Sequence, residues 1–420
     1  MIFLQKKDLL MRRKALEQTL QTTPRLNLFQ GFFQAALKNN LPIAIWRLPN
    51  QDTQNVVVDL SGQAQQMKLD LEESRPGFAF SRFLNPHLKQ TYFLNADVHY
   101  STKLDTIQYL TPPHALDNQW HQSQQRFLQA FEATLEAAPA SPVHPKTPTP
   151  NRLHIASETD YSQLVHRGVE AIKAGLFKKV VLSRAKSVDL PANFDHVQTF
   201  MKLCQRYANA LVYLVYVPEI GLWMGATPET LISTDDQQQF RTIALAGTQA
   251  HNHELPLSHT AWMQKEIEEQ AMVSRYIINC FKKIRLREFE EVGPKTVIAG
   301  NLVHLCTRFK VDMQAVNFAE LGTVMLDLLH PTSAVCGMPK ETSQEFILQH
   351  EHYDRAFYSG FIGPVNITQA THIFVNLRCM QLLGNQAILY AGAGITEDSI
   401  PMREWHETEM KCKTMLDIIQ

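Results

Sequence analysis

The stretch KKVVLSRAKSVDL, residues 178–190, decides the fold. Val181, Ser183 and Ala185 alternate with Val180, Leu182 and Arg184, the period of two by which a strand gives its faces different surroundings. Just before it, DYSQLVHRGVEAIKAG (160–175) sets Leu164, Val165, Val169 and Ile172 at helical spacing and stops at Gly175, a common helix terminator. Just after it come strand-like runs at 210–217, 221–226, 229–233 and 240–246. A long helix is predicted over 259–284, starting near Ser258 or Thr260, either of which suits an N-cap. Further strand-like runs lie at 294–304, 371–383 and 386–391, with a helix near 341–357 between them and a last helix at 401–418. Long strands joined by hairpin-like turns, with helices grouped between them, predict an α+β protein with large antiparallel sheets.

Toward the N-terminus the pattern thins. APASPVHPKTPTPN (138–151) holds five prolines in fourteen residues and excludes both a helix interior and a central strand. It reads as an exposed linker between residues 1–137 and residues 152–420. The first part is polar and Gln-rich. It still carries strand-like pieces, LPIAIWRLP (41–49) and NVVVDL (55–60), and a helical stretch near 119–137. No repeat of fixed period is present.

Bulk numbers exclude several classes. Forty basic and 41 acidic residues leave a net charge of −1, so no global field recruits nucleic acid or an anionic membrane. MIFLQKKDLLMRRKALEQTL lacks the apolar run and cleavage site of a signal peptide, and no uncharged apolar run reaches bilayer length. A cytoplasmic protein is expected. The cysteines, Cys204, Cys280, Cys306, Cys336, Cys379 and Cys412, form no CxxC pair and read as reduced, packed thiols rather than zinc ligands. His251 and His253 in HNHEL read as loop residues. HEH at 350–352 lacks the spacing of a zinc-protease helix, and no GxSxG elbow occurs.

Several residues carry candidate chemistry, each with two readings. Glu266 and Glu269 in KEIEEQ are three apart, one helical turn, and Glu404 and Glu407 in EWHETEMK repeat the spacing with Lys411 a turn later. They are either solvated acidic faces or two pairs gathered on a hard cation such as Mg2+, which prefers oxygen ligands. YAGAGIT (390–396) is a tight turn or a backbone cradle for an anion. Lys179, inside an apolar strand, is an edge lysine in water or a buried lysine whose lowered pKa suits a general base. Glu229 in GATPETL is an exposed turn glutamate or a carboxyl kept protonated as a general acid. Arg378 in FVNLRCMQL, within an apolar strand, needs an anionic partner: a structural salt bridge or a ligand carboxylate.

In order along the chain, KVVLSR (179–184), GATPETL (225–231), ALAGT (244–248), KEIEEQ (265–270), HLCTRF (304–309), LHPTSAVCG (329–337), YDRAFYSGFIGP (353–364), NLRCMQL (376–382), AGAGI (391–395) and EWHETEMK (404–411) resemble the chorismate-utilising enzymes. That family includes isochorismate synthases, salicylate synthases and the large subunits of anthranilate and aminodeoxychorismate synthases. The resemblance covers about residues 150–420. It implies two large stacked antiparallel sheets flanked by helices around a central cleft, the anthranilate synthase component I-like, chorismate-binding fold. It also revises the linker reading, since the N-terminal part belongs to the same body in that family.

The resemblance assigns roles by position. Lys179 matches the lysine that activates water, and Glu229 the acid that protonates the leaving hydroxyl. Glu269 and Glu407 match the glutamates nearest Mg2+, with Glu266 and Glu404 as their partners. Tyr358, Arg378, the amides around Gly394, and Lys411 match groups that hold substrate carboxylates. Gly247, His304 and Thr332 match residues lining the cleft. Amine-forming members resemble one another in carrying glutamine where Lys179 stands, and aminodeoxychorismate synthases often carry lysine where Ala246 stands. Both positions here point to water as nucleophile. The resemblance is strongest to isochorismate synthases of menaquinone or siderophore pathways, which implies a chorismate-binding enzyme without a glutaminase subunit, commonly a monomer. Salicylate synthase, an amine-forming component I and a non-catalytic chorismate-binding protein are the competing readings. Gln270, Asn366 and Leu377 depart from the family's usual histidine, glycine and isoleucine, and read as supporting positions rather than contacts.

Overall fold

The structure, a computed structural model, describes residues 19–110, 118–136, 145, 148, 153–250, 256–299 and 302–419. Most of the proline-rich stretch 138–151, together with His251 and His253, lies outside them. The N-terminal part contributes α1 (Arg25–Lys38), β1 (Ile43–Arg47), β2 (Gln54–Val58), β3 (Gln65–Met67), β4 (Gly77–Ser81), β5 (Thr91–Asn95), β6 (Val98–Ser101), β7 (Thr106–Tyr109) and α2 (Asn118–Glu136). Then follow α3 (Glu158–Lys173), β8 (Lys179–Asp189), α4 (His196–Arg206), β9 (Leu211–Val217), β10 (Gly221–Thr227), β11 (Thr230–Thr234), β12 (Gln239–Ala250) and α5 (Gln264–Lys283). The chain closes with β13 (Glu290–Ala299), β14 (Leu302–Asp312), α6 (Leu321–Leu329), β15 (Gly337–Met338), α7 (Lys340–His350), β16 (Phe361–Val365), β17 (Thr371–Val375), β18 (Cys379–Leu383), β19 (Gln386–Ile395) and α8 (Pro401–Ile419).

Two antiparallel sheets result, as the sequence predicts. One runs β15-β8-β19-β18-β10-β9-β1-β2-β6-β7, the other β13-β14-β12-β11-β17-β16-β4-β5-β3. Strands from before residue 110 enter both. Strand parity explains the stacking. Val212, Leu214 and Tyr216 of β9 face helices α1, α2, α4 and α8, which cover the outside of the first sheet. Tyr213 and Val215 turn inward to meet Phe78, Phe80, Ile362 and Phe374 of the second sheet. Trp223 stacks on Tyr390 at 5.4 Å between centroids and meets Phe80 edge-on in that inner layer. Helices α5 and α6 cover the outside of the second sheet through Val273, Ile277, Phe281, Met325 and Leu326. Helices α3 and α7 flank the β8/β19 end through Tyr161, Val165, Phe346 and Ile347.

The structure corrects several sequence boundaries. The long helix starts at Gln264, not near Ser258 or Thr260, because Glu266 turns back and accepts the Met263 amide at 2.9 Å, capping the helix from inside. The helix expected over 341–357 ends at His350, where a buried ion-pair network takes over. There Arg355 forks onto Glu351 at 2.6 and 2.7 Å and donates to the carbonyls of Val181 and Val335. Glu351 also accepts from the Ser183 amide and hydroxyl. Removing one partner leaves a buried charge uncompensated, which costs roughly 3–5 kcal/mol. Glu351→Gln should therefore lower the unfolding free energy by about that much, seen as a lower urea midpoint at unchanged slope; a midpoint within error of wild type would contradict the account.

The run 371–383 is two strands in different sheets. Strand β10 pairs with β18 in the first sheet, and β11 pairs with β17 in the second. Two of the chain's crossings between the sheets therefore lie side by side, at 228–229 and at 376–378. The crossings are laced together: Val375 donates its amide to the Glu229 carbonyl, Thr227 its hydroxyl to the Val375 carbonyl, and Ala226 its amide to the Arg378 carbonyl. Arg378 sits in the left-handed region, φ 48°, at the break rather than inside a strand.

Candidate active site

A cavity of about 680 Å³, its open mouth included, lies where these crossings meet the β8/β19 end. Val181, Tyr358, Glu229, Glu269, His304, Leu377, Arg378, Gly394 and Lys411 are among its walls. Of the residues singled out from the sequence, the structure thus brings Glu229, Gly247, Glu269, His304, Tyr358, Arg378, Gly394 and Lys411 to one cavity.

Lys179 is not a wall residue but lies behind two that are, Glu269 and Gly394. In β8 the outward residues Val180 and Leu182 join the α3/α7 core, so Lys179 points the other way, fully buried. Its Nζ donates to Glu269 Oε1 at 2.7 Å. Burial alone would raise the Glu269 carboxyl, but the charge and hydrogen bond of Lys179, with Lys411 and Lys265, outweigh it and hold the group below the usual carboxylate range. The close approach depends on Gly394. A Cβ there would stand 2.7 Å from Glu269 Oε1 and 3.0 Å from Lys179 Cε. AGAGI is accordingly not a turn, as the glycines suggested, but the end of β19, paired with β8 through Ile395.

Glu229 sits at the first sheet crossing. Burial pushes its carboxyl up to about 7, against the lowering charges of Lys179, Lys411 and Arg378. A carboxyl that keeps its proton near neutrality is equipped to donate it. Arg378, at the second crossing, presents a guanidinium with no ion pair or hydrogen bond among the described residues. Burial holds it below the usual arginine range. Lys179 and Lys411 already face carboxylates, so Arg378 is the cation left to meet an anionic ligand.

Opposite them β12 bulges at Gly247, φ 66°, where the register with β14 slips between Ala246 and Thr248. The bulge turns the Gly247 carbonyl to accept His304 Nδ1 at 2.9 Å. Burial, with the charges of Arg378 and Lys411, pushes His304 down to about 3, so the ring is neutral. With its proton on Nδ1, Nε2 is an acceptor; it is buried and unpartnered. Tyr358 stacks on Tyr390, centroids 5.6 Å apart, in the wall beneath Gly392. Thr332 does not line the cavity. Its hydroxyl is buried without a partner in the turn whose Ala334 and Val335 do line it. Leu377, expected to be a supporting position, is part of the wall. Gln270 supports from behind, donating to the Ala244 carbonyl and to Thr307 Oγ1 and so tying α5 to β12 and β14. Asn366 acts far from the cavity, donating to the carbonyls of Leu71 and Ser74.

The four glutamates suit a hard divalent cation in kind, being all-oxygen donors on two facing helices. In arrangement each already has a partner. Glu269 holds Lys179, Glu404 holds Lys265 at 2.6 Å, Glu407 holds Lys411 at 2.6 Å, and Glu266 caps α5. Among the described residues no three metal-ligating side chains are gathered on one point. Burial raises the Glu404 carboxyl, with Lys265 opposing and Glu407 adding to the rise. Burial would lower Lys265, yet Glu404, Glu407 and Glu269 together hold it above the usual lysine range. Lys265 escaped the sequence reading because its partner is 139 residues away. Its only local signal was adjacency to Glu266.

Residues 85–420 match the family of chorismate binding enzymes. The chain belongs to the chorismate-binding enzyme family. Among curated relatives, isochorismate synthase EntC of Escherichia coli K12 is 29% identical over 274 residues, 64% of this chain and 68% of EntC. Isochorismate synthase MenF of the same strain is 28% identical over 278 residues, 65% of this chain and 63% of MenF. The solved structure of MenF, the menaquinone-specific isochorismate synthase of E. coli, superimposes with a TM-score of 0.72 at 22% identity, covering 95% of this chain and 92% of MenF. The architecture is thus the one this family shares, two stacked antiparallel sheets flanked by helices. No described helix is long and apolar enough to cross a membrane.

Proposed function

We propose that this chorismate-binding enzyme is an isochorismate synthase, adding water at C2 of chorismate and expelling the C4 hydroxyl. The observation that carries the reading is Glu229, a buried carboxyl on the cavity wall whose proton is retained to about pH 7. The names of the relatives EntC and MenF support it.

In this mechanism Lys179, once it has given up its ammonium proton to water entering the site, is the neutral base that takes a proton from the attacking water as its oxygen bonds to C2. The ring double bonds shift, the C4–O bond breaks, and Glu229 gives its proton to the departing hydroxyl, which leaves as water. Glu266, Glu269, Glu404 and Glu407 would hold Mg2+, whose charge neutralises a substrate carboxylate. Arg378 takes a carboxylate, Tyr358 and Lys411 border it, and neutral His304 offers Nε2 to a substrate hydroxyl. Ala246 is in the cavity wall where some members of the family carry a lysine, and the reaction needs no glutaminase subunit. We place the protein in the cytoplasm as a monomer.

Incubation with chorismate and Mg2+, without any ammonia source, tests the reading. Isochorismate as the accumulating product supports it. Salicylate with pyruvate, or conversion only when ammonia is supplied, overturns it. A charge-assisted fork to a carboxylate contributes about 1.5–3 kcal/mol, so Arg378→Met should raise the KM for chorismate by about 10- to 150-fold. An unchanged KM would remove Arg378 from the binding site.

A further inference from the structure

We propose that Lys265 competes directly with the divalent cation for the carboxylate cluster, so that this lysine sets how tightly the enzyme holds its metal. The inference rests on the reading above that the four glutamates bind Mg2+.

Three lysines reach into the cluster, and they are not equivalent. Lys179 is held at Glu269, and its side chain is 0% exposed. Lys411 is held twice, by Glu407 Oε1 and by the Gly392 carbonyl at 2.8 Å, and its side chain is 18% exposed. Lys265 has one hydrogen bond, to Glu404 Oε1, and its side chain is 30% exposed in the first turn of α5. It lies next to Glu266 in the chain and bonds Glu404 on the other helix, so it bridges the two carboxylate pairs. It is also the one that can turn into water without stranding a buried ammonium.

A cation that takes Glu404, whose side chain is 2% exposed, must break this ion pair. If the ammonium then stays nearby, it repels the metal. If it swings out, the lost pair is subtracted from metal affinity. Both effects have the same sign, so removing the ammonium tightens metal binding whichever dominates. The burial of Glu404 strengthens the effect, because an uncompensated carboxylate there gains most from a new cation.

Wild type, Lys265→Met and Lys265→Arg are titrated with Mn2+ alone, without chorismate, and free Mn2+ is read by electron paramagnetic resonance. Lys265→Met should bind Mn2+ at least about tenfold more tightly than wild type, a 1.4 kcal/mol difference, and Lys265→Arg should stay close to wild type. Thermal unfolding completes the test: Lys265→Met should melt lower than wild type without Mn2+ and gain more from its addition. A Lys265→Met protein with unchanged or weaker Mn2+ affinity overturns the inference, even where its melting temperature falls, since that pattern describes a merely structural lysine. In that case wild-type turnover of chorismate with Mg2+ leaves the proposed function standing. A wild type that neither binds Mn2+ nor converts chorismate overturns both.

Discussion

Replacing Lys179 by glutamine should lower the rate of isochorismate formation by about 10²–10⁴-fold, the usual contribution of a positioned general base. Strand parity turns Lys179 toward the cavity side and away from the α3/α7 core. Its amine is fully buried, has no water of its own and can exchange its proton only with what enters the site. Glutamine keeps a donor for Glu269, so the fold should survive. It removes the charge that holds the Glu269 carboxyl below its usual range, so part of any stability loss reports on that pair. The double variant Lys179→Gln/Glu269→Gln separates the two roles. Stability should return toward wild type in the double variant, while the rate should not. Turnover within threefold of wild type in Lys179→Gln would end the assignment of this residue as base.

Glu229→Gln should have an effect of the same order, about 10²–10⁴-fold on kcat, because it removes the proton donor and keeps the shape. The pH profile gives the sharper readout. With its carboxyl pushed up to about 7, wild-type turnover should fall as pH rises past 7 and the acid loses its proton. The residual activity of Glu229→Gln should lack that limb. Stability carries a matching sign. The folded protein holds this proton more tightly than the unfolded chain, whose glutamate has the ordinary value of 4.5. The contribution is fully present below that value and is lost as pH climbs through about 7. Relative to wild type, Glu229→Gln should therefore be more stable at pH 8 than at pH 5. A pH–rate limb that persists in the variant would assign the acid to another group.

Much of this was legible in the sequence, for physical reasons that differ from residue to residue. The alternation in 178–190 marked a strand with two different faces but left open whether Lys179 met water or the interior; the packing of Val180 and Leu182 decides it. The breaks between sheets were hidden. In FVNLRCMQL the chain leaves one sheet and enters the other at Asn376–Arg378, and the polar residues there alternate with apolar ones just as they would inside a single strand, so the break leaves no pattern of its own. The glycines of AGAGI suggested a turn, since glycine is commonest there. Here Gly394 serves a close approach within a strand, and that need arises only once Lys179 and Glu269 are both in place. The start of α5 was misplaced because Ser258 and Thr260 are good caps by type, whereas the cap in use is Glu266, an acid first noticed for its spacing. The pairings of Glu269 with Lys179 and of Glu404 with Lys265 were out of reach, because charge partners 90 and 139 residues apart leave no local pattern.

The two laced crossings between the sheets have a mechanical consequence. They are the rivet of the sandwich, two adjacent ribbons that run unbroken from one blade to the other. Glu229 and Arg378 are set in the rivet itself. A tilt of one sheet on the other would open or close the cavity mouth while leaving the spacing of acid and guanidinium nearly constant. Such an enzyme can breathe to admit and release its ligand without losing the alignment of the groups that act on it.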